Sequence, residues 1–94
     1  MASNSGDEFD PAAVSRRVTE IWDDVLDVRP GRGGATFFEL QGQSISAVRI
    51  VARISDELGI EVDMGSLFED PDVDTFVREV VATAESASRT RRTA

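Results

Sequence analysis

Ser44 is the side chain best suited to covalent chemistry in this sequence. It lies in Phe37-Phe38-Glu39-Leu40-Gln41-Gly42-Gln43-Ser44-Ile45-Ser46, where a loop is expected to hand over to a helix. The chain contains no cysteine and no histidine. A serine hydroxyl is a weak nucleophile until a neighbouring base activates it, and the usual base is missing. Ser44 is therefore better read as a point of attachment, acted on by another protein, than as a catalyst. No residue is assigned a catalytic role.

The carboxylates do not change this. Asp23, Asp24 and Asp27 fall near the end of an expected helix, and Asp70, Asp72 and Asp74 surround Pro71. Nothing in the sequence sets two of them in one cleft, so they are read as solvated surface and helix caps. The second trio has calcium-like spacing, but Pro71 and the lack of a following Gly and Glu break the loop pattern a calcium site needs. No metal site is expected.

The 94 residues suffice for one small domain. The absence of cysteine removes disulfides as a support, which fits a reducing, cytoplasmic setting. No apolar run reaches the length of a membrane span, so no membrane role is expected. Charge is lopsided, with 18 acidic against 10 basic residues, and every basic residue is an arginine. Arg89, Arg91 and Arg92 lie in the last six positions; outside them, seven arginines face 18 acids. So acidic a body argues against nucleic acid, whose phosphates need a positive patch. It favours protein partners.

Four elements must position Ser44. Asp10-Pro11 reads as a capping side chain followed by proline at the first helical position. Behind it Val14, Val18, Ile21, Trp22, Val25 and Leu26 recur on one helical face. Arg29-Pro30-Gly31-Arg32-Gly33-Gly34 ends this helix and opens a long loop to about Gln43. Phe37, Phe38 and Leu40 are expected to pin the loop to the body. A second helix runs from about Ser44 to Leu58, with Gly59 as its stop. Met64 to Glu69 allows a turn or two of a weak third helix, with Leu67 and Phe68 facing inward. Pro71 breaks it. Asp72 caps a last helix in which Val73, Phe76, Val77, Val80, Val81 and Ala84 hold helical spacing. The fold class is thus all-α, a small four-helix bundle of three longer helices and one short one. Residues 1–9 are expected to be a disordered N-terminus, 10–85 the domain, and 86–94 a disordered Arg-rich tail.

The second helix carries two apolar stripes. At 100° per residue, Ala47, Ile50, Val51, Ile54 and Leu58 share about 100° of arc, the width of a core face. Ile45, Val48 and Ala52 lie on another, centred roughly 130° away. So small a bundle rarely buries both. With Gln43, the second stripe is the expected partner surface; flanking core is the alternative.

These residues carry a family likeness. Phe37 to Ile45 resembles the Phe-Phe-x-Leu-Gly-Gly-x-Ser-Leu motif of peptidyl carrier proteins, the thiolation domains of non-ribosomal peptide synthesis within the acyl-carrier-like superfamily. Ala47 to Ile54 resembles that family's second helix, Leu58-Gly59-Ile60-Glu61-Val62 the stretch after it, and Leu67-Phe68-Glu69-Asp70-Pro71-Asp72-Val73 its Leu-Phe-x-x-Pro-Thr-Val segment. The likeness spans about residues 14 to 82.

The resemblance implies that a phosphopantetheinyl transferase moves 4′-phosphopantetheine from coenzyme A onto Ser44. The thiol so gained would carry an aminoacyl or peptidyl group as a thioester. It implies a chain without catalytic activity of its own, at work in a natural-product pathway. A start at Met1 and a single carrier domain with no adjoining enzyme sequence give the expectation of a stand-alone protein, and a monomer is expected. Its partners would be the transferase, an adenylating enzyme that loads the thiol, and condensation or tailoring enzymes. An acyl or aryl carrier of a polyketide or mixed pathway is the near alternative; an unmodified helical interaction module, with Ser44 a plain cap, is the distant one.

Some positions depart from the motif. Gln41-Gly42 stands for Gly-Gly, leaving one glycine for close approach or positive φ. Gln43 replaces the usual His or Asp, and Ile45 the usual Leu. The second helix carries Arg49 and Arg53, with no acid before Asp56. Docking is therefore expected to lean on Ile45 and Val48 more than on charge.

Overall fold

The computed structural model describes residues 10–93. The expected N-terminal disorder, over 1–9, falls outside them. Among the described residues the regular structure is four helices, α1 (Pro11–Leu26), α2 (Ser44–Leu58), α3 (Gly65–Phe68) and α4 (Val73–Thr93).

Their ends follow local chemistry. The Asp10 carboxylate accepts from the amides of Ala12 and Ala13, and Pro11 occupies the first helical position. α1 stops at Asp27, in the left-handed region at φ 52°. α2 stops at Gly59, at φ 68°, where glycine bears no Cβ penalty. Asp72 caps α4 by accepting from the Thr75 amide at 2.9 Å.

The core is one cluster. α1 gives Val14, Val18, Ile21, Trp22 and Leu26; α2 gives Ala47, Ile50 and Ile54; α4 gives Phe76, Val80 and Ala84. Leu67 joins from α3, Ile60 from the link, and Phe37 from the long loop. Trp22 sits between two of these, its ring centroid 6.2 Å from Phe37 and 5.6 Å from Phe76. Burying a side chain such as Phe37 contributes about 1.5–3 kcal/mol, which offsets part of the cost of ordering the loop.

Two expectations are corrected. Phe68 does not face inward: it is 42% exposed, while Leu67 is fully buried. Neighbours on a helix point about 100° apart, so a single turn buries only one of them. Phe38 is 49% exposed and is anchored through its backbone amide, while Phe37 beside it is the ring that is buried. α4 itself runs past Ser86, through Thr93. Ala84 is the last buried residue among those whose burial is described, and the apolar spacing also ends there. Beyond it the sequence offers alanine and arginine, good helix formers, and no Gly or Pro to break the run.

A chain of charges joins α1 to α2 on the surface. Arg17 donates to Glu20 and, from Nε and Nη2, to Glu57. Arg53 donates to the other Glu57 oxygen and to Asp24, each at 3.0 Å. The two arginines, Arg17 foremost, hold the Glu57 carboxyl below the usual glutamate range.

Candidate functional site

Ser44 is the first residue of α2. The residue before it, Gln43, is extended (φ −135°, ψ 176°) and serves as the N-cap, yet its side chain makes no capping hydrogen bond. The role of plain cap, open to Ser44 on sequence, thus falls to its neighbour. The first amides of a helix have no acceptor within it. At α2 the ladder begins with Ala47, whose amide donates to the Gln43 carbonyl at 2.9 Å. Ser44 is exposed, no described residue hydrogen-bonds its hydroxyl, and no acid lies in the first turn. The hydroxyl is accessible, uncommitted and beside open N–H groups that favour an anion.

The loop that delivers Ser44 is fixed at its second half. The Phe37 amide donates to the Pro71 carbonyl at 2.9 Å, and the Phe38 amide to Asp70 Oδ1 at 2.9 Å. Thr36 forms an isolated antiparallel bridge with Asp72. Thr36 and Glu39 close a reciprocal pair: the Thr36 amide donates to Glu39 Oε1, and the Glu39 amide to Thr36 Oγ1. The Gly42 amide returns to the Phe37 carbonyl at 2.9 Å.

Gln41 and Gly42 divide the work expected of two glycines. Gln41 adopts φ 66°, a conformation that suits glycine. Gly42 supplies the close approach: a Cβ there would stand 2.5 Å from carbons of the Phe37 ring. The ring, clamped under Gly42 and packed on Trp22, sets the path of the chain into α2.

The predicted partner surface is open. Ile45 is 61% and Val48 49% exposed, and Gln43 and Ala52 are exposed as well. The opposite stripe is the core side, with Ala47, Ile50 and Ile54 fully buried. Flanking core is therefore not what Ile45 and Val48 are. Two exposed aromatics, both expected from sequence to pack against the body, border the buried Phe37: Phe38, with its centroid 5.6 Å away, and Phe68 at 6.5 Å. An adjacent Phe pair and a one-turn α3 offer no stripe by which spacing could tell the outward ring from the inward one. Among the described residues no group of His, Cys, Asp or Glu could hold a metal ion, and no helix is long and apolar enough to cross a membrane.

Residues 16–80 match the family described as "Phosphopantetheine attachment site". The chain is 37% identical over 86% of its length to phosphinothricin tripeptide synthetase PhsC of Streptomyces viridochromogenes. It is 34% identical over 71% of its length to bacitracin synthase 3 of Bacillus licheniformis. To surfactin synthase subunit 1 of Bacillus subtilis it is 30% identical over 80%. It spans 7%, 1% and 2% of those proteins respectively.

Proposed function

We propose that this chain, which belongs to the phosphopantetheine attachment site family, works as a peptidyl carrier with Ser44 as its attachment residue. The carrying observation is the exposed, uncommitted Ser44 hydroxyl at the first position of α2, inside the matched region. The family's group, 4′-phosphopantetheine, is held covalently, and the residues at Ser44 fit it. The hydroxyl faces solvent, Gly42 and Phe37 fix the approach to it, and no first-turn acid repels a phosphodiester. An anion beside the open amides gains about 0.3–1 kcal/mol from the helix dipole.

Each residue has a part. The Ser44 oxygen would form the bond to the pantetheine-side phosphorus of coenzyme A as the bond from that phosphorus to the bridging oxygen breaks; adenosine 3′,5′-bisphosphate would leave, and the serine proton would pass to a base that the transferase provides. Ile45, Val48 and Ala52, with Gln43, offer an apolar strip to whichever enzyme covers that end of α2. Such a strip suits brief association, since small interfaces favour transient complexes. When bound, the group supplies the thiol on which an aminoacyl or peptidyl chain is carried.

The peptidyl branch is favoured by Phe37-Phe38 and Leu67-Phe68, and by a relative whose name is that of a tripeptide synthetase. The partners on this reading are a phosphopantetheinyl transferase, an adenylating enzyme, and condensation or tailoring enzymes, met in the cytoplasm. The chain contributes no catalysis of its own and acts as a monomer.

The test is intact-mass measurement after incubation with coenzyme A and a broad-specificity transferase. The wild type should gain one phosphopantetheinyl group and Ser44→Ala none. A wild type that gains no mass, or a gain that persists in Ser44→Ala, sinks the attachment role.

A further inference from the structure

The two arginines of α2 have different fates. Arg53 is spent on Asp24 and Glu57. Arg49 is exposed and pairs with no described residue. It follows Val48 directly and stands about 7.5 Å along the axis from Ser44 and about 40° round from Ile45. It thus edges the apolar strip on the side away from the core. α2 has no acid before Asp56. In a chain of net charge −8, the surface leading from the attachment serine is locally apolar, and among the described residues of α2 it carries one uncommitted cation.

We propose that Arg49 is the specificity contact of this surface, and that it pairs with a carboxylate on the phosphopantetheinyl transferase. The proposal rests on the attachment role of Ser44. It follows from reach. Enzymes acting later meet the far end of a long arm, whereas the transferase must bring its reacting centre to the Ser44 oxygen itself. A protein that does so covers the first turns of α2 and with them Ile45, Val48 and Arg49. Covering a charged guanidinium without a partner is costly, so a fitting surface offers an anion there. Arginine forms paired hydrogen bonds to a carboxylate, which fixes orientation as well as sign. Truncating or reversing such a charge acts on association and leaves chemistry at a separate atom unchanged.

The experiment follows initial rates of mass gain with a broad-specificity transferase, varying the carrier and coenzyme A separately. Arg49→Glu should raise the KM for the carrier at least fivefold with kcat unchanged, and Arg49→Lys should stay within twofold of wild type. Arg16→Glu, the same charge change at an exposed site on α1, should leave KM unchanged. Circular dichroism melts of each variant check that the fold is intact. Several outcomes overturn the proposal: an unchanged KM in Arg49→Glu, an equal rise in Arg16→Glu, or a rise in the KM for coenzyme A alone, which would make a coenzyme phosphate the partner. A wild type with no mass gain removes the attachment role, and this contact with it.

Discussion

The Phe37 ring occupies the space that a side chain at residue 42 would need. A Cβ on Gly42 would stand 2.5 Å from Phe37 Cε1 and Cζ, far inside van der Waals contact. That ring is fully buried and also meets Trp22. The two residues are a clasp, five positions apart in sequence, closed two residues before Ser44.

Gly42→Ala should therefore displace a core aromatic ring. Overpacking of this kind costs about 1–3 kcal/mol. Phe37→Ala, which empties the site, should cost about 3–5 kcal/mol. Chemical denaturation measures both. A Gly42→Ala protein as stable as wild type would show that the ring is free to retreat.

Gln41 holds a left-handed backbone at φ 66° without glycine's freedom. A left-handed conformation costs an L-residue about 1–2 kcal/mol, and glycine gives back part of that through its looser unfolded state. Gln41→Gly should be neutral to stabilising by up to about 1 kcal/mol in thermal or urea unfolding. A clear loss would mean that the glutamine side chain contributes more than its backbone strain removes.

Val48 separates packing from recognition. It is half exposed, so Val48→Asp should shift stability by no more than about 0.5 kcal/mol. The same change places a charge in the apolar strip and should slow transfer onto Ser44, or loading of the thiol, severalfold. Helical circular dichroism and mass-gain rates together decide it: unfolding would make Val48 part of the core.

Acid should loosen the α1–α2 contact. Arg17 first, then Arg53, lowers the Glu57 pKa in the folded chain. Stability from a lowered carboxyl pKa is fully present above the ordinary glutamate value and is lost as pH falls through the lowered one. Glu57→Gln should melt earlier than wild type at neutral pH, and the two should converge in acid. Asp72, lowered mainly by the Thr75 amide and then by the Thr75 side chain, has the same sign, so the variant keeps some acid sensitivity. Melting points across pH, for both proteins, check this. A gap that widens in acid would contradict it.

Much of this architecture is local, and local features are legible in a sequence. Asp10-Pro11, Gly59 and Asp72 mark helix ends through their own side chains or the lack of one, and the structure places those ends there. The buried faces of α1 and α2 follow from 3.6-residue spacing. The misses have a common physical origin. Phe68 lies on a helix too short to define a face. Gln41 takes a conformation that glutamine does not advertise. Glu57 meets Arg17 across 40 positions, a distance over which no spacing rule operates. Ser44 is legible as a candidate because motif and helix start coincide; that Arg53 is committed and Arg49 is not is visible only in the fold.

The long loop consists of two unlike halves. From Thr36 onward it is clasped, bridged and hydrogen-bonded to the α3–α4 junction. Before that, Gly33 and Gly34 are exposed, and a side chain at either would meet nothing within 4 Å. One hydrogen bond, from Arg32 Nη2 to the Glu39 carbonyl at 2.9 Å, ties the open half to the fixed half, and the fixed half lies between Gly33–Gly34 and Ser44. Gly33–Gly34 is thus a natural seam, where a tag, a fluorophore-bearing peptide or a new pair of chain ends could be spliced in, giving a reporter placed away from Ser44 and the exposed strip of α2.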